Sequence, residues 1–481
     1  MSSSMRMLLA NLTSRLIRYL NLNPDITPES GKWILGFGWD QTLWPGSEFP
    51  TASDLDSNPR LAAIPISLVR IDGHALWCNS LALQLSKASI PPADVPTPGG
   101  QVIRFPSNSA PTGVFLDDAM SFIQSNIPPP SYEQRVQAVE TASRLMLEKG
   151  LTGLHDAGVS LDDISLFKSL IEQNKFPIRS YAMILCSPLS ICTDTPLPPP
   201  YTTSKSGLLT VRAVKLVSDG ALGSWGASLH SPYSDSPSKS GIQKISQEDL
   251  QKALTTTITQ GYQPAIHAIG DRANAIALDT LESLHLHLHL HLHLTPPTTA
   301  TPPNLTSILL TPQDIPRFKS LGVIPSLQPT HTTSDMGFAV SRLGLHRAKT
   351  GAYRVRSLWP APFGSDFPIE GVDPMRGIYS ATTRKWENGS SPDGEGVGWI
   401  DEERVSRREA LDGFTKWAAW ARFGEKEMGR VAVGMWADYV VYEEDWVKEE
   451  EEGGGIGEQD LLKVVPLATV VGGVVRFGKL M

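Results

Sequence analysis

The segment Val211–Val217 (VRAVKLV) belongs to a series of short apolar stretches, each ending at or just before a polar residue, that begins at Leu151. Helix-length segments separate them, the clearest being Pro130–Lys149, Ser246–Gln260 and Thr311–Leu321. Alternating strands and helices predict parallel βα units. We expect an α/β fold, and a closed (β/α)8 TIM barrel rather than a doubly wound sheet, because no phosphate-binding GxGxxG or GxxxxGK[ST] loop follows a strand. The other predicted strands are Leu151–Asp156 (LTGLHD), Ile178–Leu185 (IRSYAMIL), Tyr262–His267 (YQPAIH), Gly322–Gln328 (GVIPSLQ) and Pro360–Asp366 (PAPFGSD).

Polar side chains mark the ends of these predicted strands. In a barrel of this kind the chemistry lies at the carboxyl ends of the strands. Side chains from several strand ends would converge there, and such a group is a stronger signal than any one member. The residues are His155, Asp156, Lys215, Asp219, His267, His331 and Asp366.

Lys215 is the most informative of them, because it shares a strand face with Val211, Ala213 and Val217. Burying an ammonium group among apolar side chains is costly. Three arrangements would resolve that cost: an ion pair with an acid such as Asp219, a depressed pKa, or conversion to a carbamate that bridges metal ions. The residues alone favour the ion pair.

The other candidate residues could equally have structural rather than functional roles. A single histidine such as His267 is more often structural than functional. Asp366 could bind a metal and accept a proton from its water, or it could cap the following helix. The run from His285 to Leu294 (HLHLHLHLHL) mimics a metal motif, but we interpret it as low-complexity sequence with adventitious metal affinity.

Composition excludes several classes of protein. The formal charge of -8 arises from one run, Glu443 to Asp460, which holds nine acids and one lysine, while the remainder is balanced at 41 acids and 41 bases. A basic nucleic-acid-binding surface is therefore not expected. No apolar run is long enough for a membrane span. Three cysteines, without zinc spacing, are too few for a disulfide framework, which suits a reducing, cytoplasmic location.

The two ends of the chain carry further signals. An apolar stripe from Leu8 to Leu20 predicts a domain helix, although three arginines with no acid before Asp25 leave a mitochondrial transit peptide as an alternative. From Met428 the chain is rich in valine with glycine turns, which predicts a small β module. Its acidic stretch Glu449 to Glu458 would form a solvated loop.

Several long motifs, in order along nearly the whole chain, resemble the amidohydrolase superfamily. The specific branch is the amidohydrolase family 3 group, and the sequence is similar to N-substituted formamide deformylase. The motifs are GFGWDQTLWP from Gly36, RIDGHALWCNS from Arg70, KLVSDGALGSWGASLHSPYSD from Lys215, HAIGDRAN from His267, LGVIPSLQPTHTTSDM from Leu321, FGSDFPIEGVDP from Phe363 and GRVAVGMWADYVVYEED from Gly429.

The resemblance implies a metal-dependent (β/α)8 barrel with a small β-sandwich. Residues 1–427 would form the barrel and residues 428–481 a partial sandwich. Lys215, His267 and Asp366 match the ligand positions after strands four, five and eight, with Lys215 carboxylated in many relatives. One or two divalent ions, usually zinc, would polarise a substrate carbonyl and activate a bound hydroxide, and Asp366 would be the catalytic general base.

Three further residues are candidates for substrate or oxyanion contacts: His74, Asp219 and His331. The implied activity is hydrolysis of carbon–nitrogen bonds other than peptide bonds, in an amide or an N-formyl or N-acyl amine. We expect a small-molecule amide-type substrate and no nucleic-acid or membrane partner, and a homo-oligomer remains open.

Two departures from the family pattern leave an alternative. No histidine precedes His74, so the His-x-His motif of strand one is expected to be missing, and residues from about 32 to 127 look like an insertion after that strand. Around Thr306 no histidine matches the strand-six ligand. The alternative is therefore a catalytically impaired relative that acts as a binding scaffold.

Overall fold

The computed structural model describes residues 3–187, 189–203, 206–292, 303–448 and 455–480, with backbone alone for 3–8 and 285–292. These residues form two compact units. The first unit comprises Met1–Pro130, Asp219–Ser228 and Pro237–Lys244, and the second comprises Ser131–Ser218, Leu229–Ser236 and Ile245–Met481. Two segments that follow residue 218 in the sequence, Asp219–Ser228 and Pro237–Lys244, therefore belong to the first unit.

The described residues of the first unit form a five-stranded mixed sheet with one long helix, α1, and several short ones. The strand order is β1-β2-β3-β5-β4, in which β1 and β2 are parallel and the other neighbours antiparallel. All five strands lie between residues 32 and 127. Its elements are α1 (Ser3–Leu22), β1 (Ile34–Trp39), α2 (Ala52–Asp56), α3 (Pro59–Ala62), β2 (Ile66–Arg70), β3 (Ala75–Cys78), α4 (Ser80–Leu85), β4 (Gly100–Arg104), β5 (Pro111–Asp117) and α5 (Ser121–Gln124).

Helix α1 is an integral part of this unit. Leu16 and Leu20 are buried in the apolar core of the sheet, and Leu9 and Leu12 pack against it. Four leucines of the predicted stripe therefore lie on the face that α1 buries, as expected for an amphipathic helix on a sheet, whereas Tyr19 is exposed and the side chain of Leu8 lies outside the description.

The second unit is built on six parallel strands joined by helices. Their order is β12-β11-β10-β9-β7-β6, and the short β8 pairs antiparallel to β9. Its elements are α6 (Tyr132–Glu148), β6 (Gly153–Val159), α7 (Leu161–Glu172), β7 (Arg179–Leu185), α8 (Ser190–Thr193), β8 (Tyr201–Thr202), β9 (Leu209–Val217), α9 (Gln247–Thr259), β10 (Gln263–His267), α10 (Asp271–Leu292), β11 (Asn304–Thr306), α11 (Ile315–Leu321), β12 (Ile324–Ser326), α12 (Pro329–Leu343), α13 (Leu345–Gly351), α14 (Pro374–Thr383), β13 (Ser390–Ser391), β14 (Gly394–Glu395), α15 (Arg407–Asp412), α16 (Ala418–Ala421), β15 (Tyr439–Val441), β16 (Ala468–Val471) and β17 (Val474–Gly478).

This parallel sheet fits a TIM-barrel-like fold, and its core has two sides. Val214, Leu216 and their neighbours belong to a large apolar cluster that also contains helix residues. A separate small cluster, Tyr181, Met183, Ala213 and Ala265, lies on the other side. Alternate residues of β9 therefore divide between the two clusters, as the period of a strand requires.

The sequence prediction was wrong for the last expected strand. Pro360–Asp366 is not a strand in the structure, and only an isolated parallel bridge joins Phe363 to Leu327. Pro360 and Pro362 lack an N–H group, so this segment cannot complete a ladder of backbone hydrogen bonds. Strand β11 was not among the strands predicted from apolar stretches, although the resemblance implied strand six near Thr306.

The C-terminal residues form a three-stranded antiparallel sheet in the order β15-β16-β17, as the valine-rich tail predicted. Within the acidic run Glu443 to Asp460, residues 449–454 lie outside the described part of the chain. The backbone of the His-Leu run is helical as far as Leu292, and its last two residues also lie outside the description.

Two global features bear on the expected location. Among the described residues, no helix is both long and apolar enough to cross a membrane. Cys186 and Cys192, both buried, are joined by a disulfide with a Cα–Cα distance of 5.7 Å, which the sequence did not lead us to expect. The cytoplasmic location stays a prediction.

Candidate active site

Strands β9 and β10 bring two of the predicted site residues together. Lys215 pairs with Ala265, and His267 pairs with Val217, so the two side chains lie two residues apart on neighbouring parallel strands. Lys215 follows Ala213 on the face of the small apolar cluster. Both side chains therefore occupy the carboxyl edge of the sheet, where α/β barrels carry their chemistry.

The electrostatic state of Lys215 is set by this position. Burial lowers the pKa of Lys215 from its ordinary value, and the negative charge of Asp366 only partly offsets that effect. Among the described residues of the second unit, no acidic side chain forms an ion pair with Lys215. Of the three ways in which the sequence analysis resolved the cost of burying Lys215, the contacts within the second unit therefore favour a lowered pKa.

The strand beside His267 has a threonine at the matching position. Thr306 pairs with His267 on one side and with Ser326 on the other, and the carbonyl of Thr306 accepts a hydrogen bond of 3.0 Å from the Ala268 amide. The register therefore places a hydroxyl side chain where the family resemblance implies a histidine ligand.

Asp366 follows the segment that bridges to the end of β12. Its backbone has a φ of 59°, a left-handed conformation that aspartate tolerates better than most residues, and half of its side chain is exposed. Its Oδ2 lies 3.2 Å from Nε2 of His331, which is in the first turn of α12. The structure thus connects Asp366 both to His331, by contact, and to Lys215, by charge.

His331 lies between two carboxylates. Its Nδ1 is 3.6 Å from Oε1 of Glu370, on the opposite side of the ring from Asp366. Burial alone would lower the pKa of His331, but its interactions with Asp366 and Glu370 outweigh that effect and raise the pKa to about 10. The Ser334 hydroxyl donates to the same Glu370 oxygen at 2.5 Å.

A second pair of titratable groups lies on β6. Burial, together with the positive charge of Arg422, lowers the pKa of His155 to about 3, and its ring lies 5.2 Å from that of Tyr181. Burial raises the pKa of Asp156 to about 6, although a backbone hydrogen bond from Gly158 favours its charged form. His155 is therefore a neutral imidazole, and Asp156 is an acid poised near neutral pH.

His74 and Asp219, the remaining candidates, belong to the first unit. His74 Nδ1 lies 2.7 Å from Asp117 Oδ1. Burial disfavours the charged imidazole, but the hydrogen bond to Asp117 outweighs it and raises the pKa of His74. Asp219 is fully buried and accepts a hydrogen bond of 2.8 Å from the Ser228 amide. Within the first unit, Asp219 thus has a structural partner.

Close packing in the first unit explains why glycines occupy two positions of the segment after Lys215. A Cβ on Gly220 would lie 2.6 Å from Asp117 Oδ2, and one on Gly223 would lie 2.8 Å from the Arg70 guanidinium. Arg70 is buried and ion-paired to Asp40 and Asp72, each at 2.5 Å. The glycines therefore allow the backbone to approach two buried charged groups closely.

Sequence reasoning missed the residues that surround His331. Ser334 and Glu370 were not singled out, yet both stand inside motifs quoted for the resemblance. Ser334 follows His331 by three residues on a helix, a spacing that places both on one face. Glu370 is joined to His331 only by tertiary folding, so no local signal could have identified it.

The chain is similar to known proteins along most of its length. Residues 5–477 match the model of the amidohydrolase family. The chain is 31% identical over 433 residues to LONG AFTER FAR-RED 3 of Arabidopsis thaliana, covering 86% of this chain and 70% of that protein. It is also 31% identical over 424 residues to YtcJ of Bacillus subtilis, covering 86% of this chain and 75% of that protein.

A solved structure shares the fold. The crystal structure of an uncharacterized metal-dependent hydrolase from Pyrococcus furiosus aligns with a TM-score of 0.61 and 25% identity, covering 89% of this chain and 79% of that one. The parallel sheet, the polar residues at its carboxyl edge and the match over nearly the whole length lead to one conclusion: this chain belongs to the amidohydrolase family.

Proposed function

We propose that this protein is a metal-dependent hydrolase that cleaves carbon–nitrogen bonds other than peptide bonds, in small N-formyl or N-acyl amines. Family membership supports a hydrolase. The observation that carries the proposal is the position of Asp366, a half-exposed carboxylate that contacts His331 and acts electrostatically on the buried Lys215. A carboxylate at the carboxyl edge of such a sheet is placed to accept and return a proton.

The fold family implies a divalent metal, whose ligands the side chains of this chain would have to supply. In the described ranges, no group of three or more His, Cys, Asp or Glu side chains is arranged to bind a metal. Lys215, His267 and Asp366 would make a three-ligand set only if Lys215 supplied oxygen donors. A neutral lysine amine adds to carbon dioxide, forming an N–C bond and releasing one proton, and the carbamate has carboxylate oxygens.

Burial of Lys215 favours this modification, because it stabilises the neutral amine that the reaction needs. With Lys215 carboxylated, the three residues would supply three protein ligands, the usual number for catalytic zinc. When bound, the ion would supply Lewis acidity, polarising the substrate carbonyl and lowering the pKa of water.

The residues of the chain would perform the proton transfers. Asp366 accepts a proton from the attacking water as the oxygen–carbon bond forms, and it delivers that proton to the nitrogen as the carbon–nitrogen bond breaks. The products are a carboxylic acid, formate for an N-formyl substrate, and an amine. His331 donates toward Asp366 Oδ2 and holds that carboxylate in place.

The test combines metal content with turnover. The parent for the test is a protein in which the His285 to Leu294 run is replaced, so that adventitious metal binding by these histidines is removed. Lys215→Ala and His267→Ala, made in this parent, show whether the two residues bind the metal. We expect about one equivalent of metal in the parent, clear losses in both variants, and turnover of an N-formyl amine panel by the parent alone.

One further measurement and one control variant sharpen the result. Carbon-13 bicarbonate should give a carbamate signal in the parent that Lys215→Ala lacks, while His346→Ala, a histidine on α13, serves as the matched control with unchanged metal. A parent with neither stoichiometric metal nor turnover on the panel, after metal supplementation, would overturn the proposal.

A further inference from the structure

The imidazole of His331 is bordered by carboxylates at both of its nitrogens. We propose that Glu370 is a positioning residue that fixes the ring of His331 so that Nε2 faces the Asp366 carboxylate. The inference rests on the proposed function, because it takes Asp366 as the group that transfers the proton. Glu370 itself does not touch Asp366 through any described contact, so it would act through His331.

The geometry of the ring supports this role. Nε2 lies 3.2 Å from Asp366 Oδ2, and Nδ1 lies 3.6 Å from Glu370 Oε1. A half-turn of the ring about the Cβ–Cγ bond would replace Nδ1 by a carbon on the Glu370 side and Nε2 by a carbon on the Asp366 side. A negative charge beside Nδ1 therefore favours the one orientation in which Nε2 meets Asp366.

The 3.6 Å separation is an ion-pair distance rather than a hydrogen bond. Glu370 therefore acts on His331 through its negative charge. Water screens this attraction only weakly, because the side chain of His331 is 13% exposed and that of Glu370 is 21% exposed. Charge interactions between partly buried groups are stronger than those at the surface. Replacing Glu370 by glutamine would keep its shape and remove the attraction.

Glu370 is itself held in place. The Ser334 hydroxyl donates at 2.5 Å to Oε1, the same oxygen that faces His331. Ser334 lies one turn after His331 on α12, so the helix carries both the ring and the group that anchors its partner. Asp335, the next residue, accepts the Tyr353 hydroxyl at 2.5 Å, and its negative charge also favours the protonated form of His331.

A double-mutant cycle tests whether Glu370 acts through His331. The variants are E370Q, H331Q and the double substitution, with kcat and KM measured on an N-formyl amine. Partners of active-site groups typically change activity by about 10- to 100-fold. We expect E370Q to lower kcat about 10-fold or more with little change in KM, and the double variant to be no worse than H331Q.

The control is E395Q, a matched substitution at an exposed position on β14, which should keep the parental kcat. S334A should fall between the parent and E370Q, because it loosens Glu370 without removing the charge. An unchanged kcat in E370Q, or losses in the double variant equal to the product of the single losses, would overturn the proposal.

A structural measurement separates this inference from the proposed function. Neutron crystal structures of the metal-free parent and of E370Q, in which ring nitrogen and ring carbon are distinguishable, show whether His331 Nε2 stays within hydrogen-bond distance of Asp366. We expect the contact in the parent, and its loss or a second ring orientation in E370Q. An undisturbed ring in E370Q refutes the positioning role. A parent without turnover on the panel refutes the proposed function while this readout still decides the role of Glu370.

Discussion

Asp156 offers a quantitative test of the electrostatics at the carboxyl edge of the sheet. Burial raises its pKa from the ordinary 3.8 to about 6, so the folded state holds this proton more tightly than the unfolded chain does. The perturbation we consider is Asp156→Asn in metal-free protein. Asparagine has the same shape but cannot ionise, and it therefore removes the cost of charging a buried carboxyl group.

The magnitude follows from the shift of about two pKa units. One unit corresponds to 1.36 kcal/mol, so full ionisation costs the folded state at most about 3 kcal/mol. Below pH 3.8 Asp156 is protonated in both states and costs nothing. As the pH rises from about 4 to 6 the unfolded state ionises first, and the free energy of unfolding falls. Above pH 6 the whole loss is present.

We therefore expect Asp156→Asn to match the parent near pH 4 and to be more stable at pH 7.5 by up to about 3 kcal/mol. Urea unfolding, followed by the fluorescence of tryptophans in the second unit, measures the difference at both values of pH. Asp162→Asn is the matched control, since this aspartate is exposed on α7. A stability difference that does not change between pH 4 and pH 7.5 would refute the reasoning.

Three further predictions concern catalysis and the first unit. Asp366→Asn should lower kcat by about 10²- to 10⁴-fold, the usual contribution of general acid–base catalysis, with an unchanged circular dichroism spectrum; unchanged turnover would remove Asp366 from the mechanism. Gly220→Ala should destabilise the first unit by about 1–3 kcal/mol in urea unfolding, because the new Cβ would press on Asp117; a neutral effect contradicts the close approach. Arg70→Met should cost about 3–5 kcal/mol, because it leaves buried Asp40 and Asp72 without their ion pairs; thermal unfolding that shifts by less than a degree contradicts this account.

Local patterns were sufficient for most of the parallel strands. The predicted Val211–Val217 became β9 (Leu209–Val217), and Tyr262–His267 became β10 (Gln263–His267). Strand-forming residues, followed by a polar residue where the chain leaves the core, carry this information along the chain itself. The same logic failed at Pro360–Asp366, where apolar character predicted a strand and missing N–H groups prevented one.

For the candidate site, too, the sequence predicted some features and not others. The sequence by itself determined which chemical groups are present: Lys215 and His267 lie at or near the ends of predicted strands, Asp366 follows an apolar segment, and a resemblance over nearly the whole chain indicated the family. Residue type and element boundary are local properties, and they can be read without knowing which elements meet.

Only the tertiary structure decided which of these groups act on each other. The register that sets Thr306 beside His267 depends on pairing between separate strands. The contact of His331 with Asp366 and Glu370 joins a helix to a segment more than thirty residues away. Distances between such groups, and the burial that shifts their pKa values, arise from packing of the whole unit, and for that reason no stretch of sequence contains them.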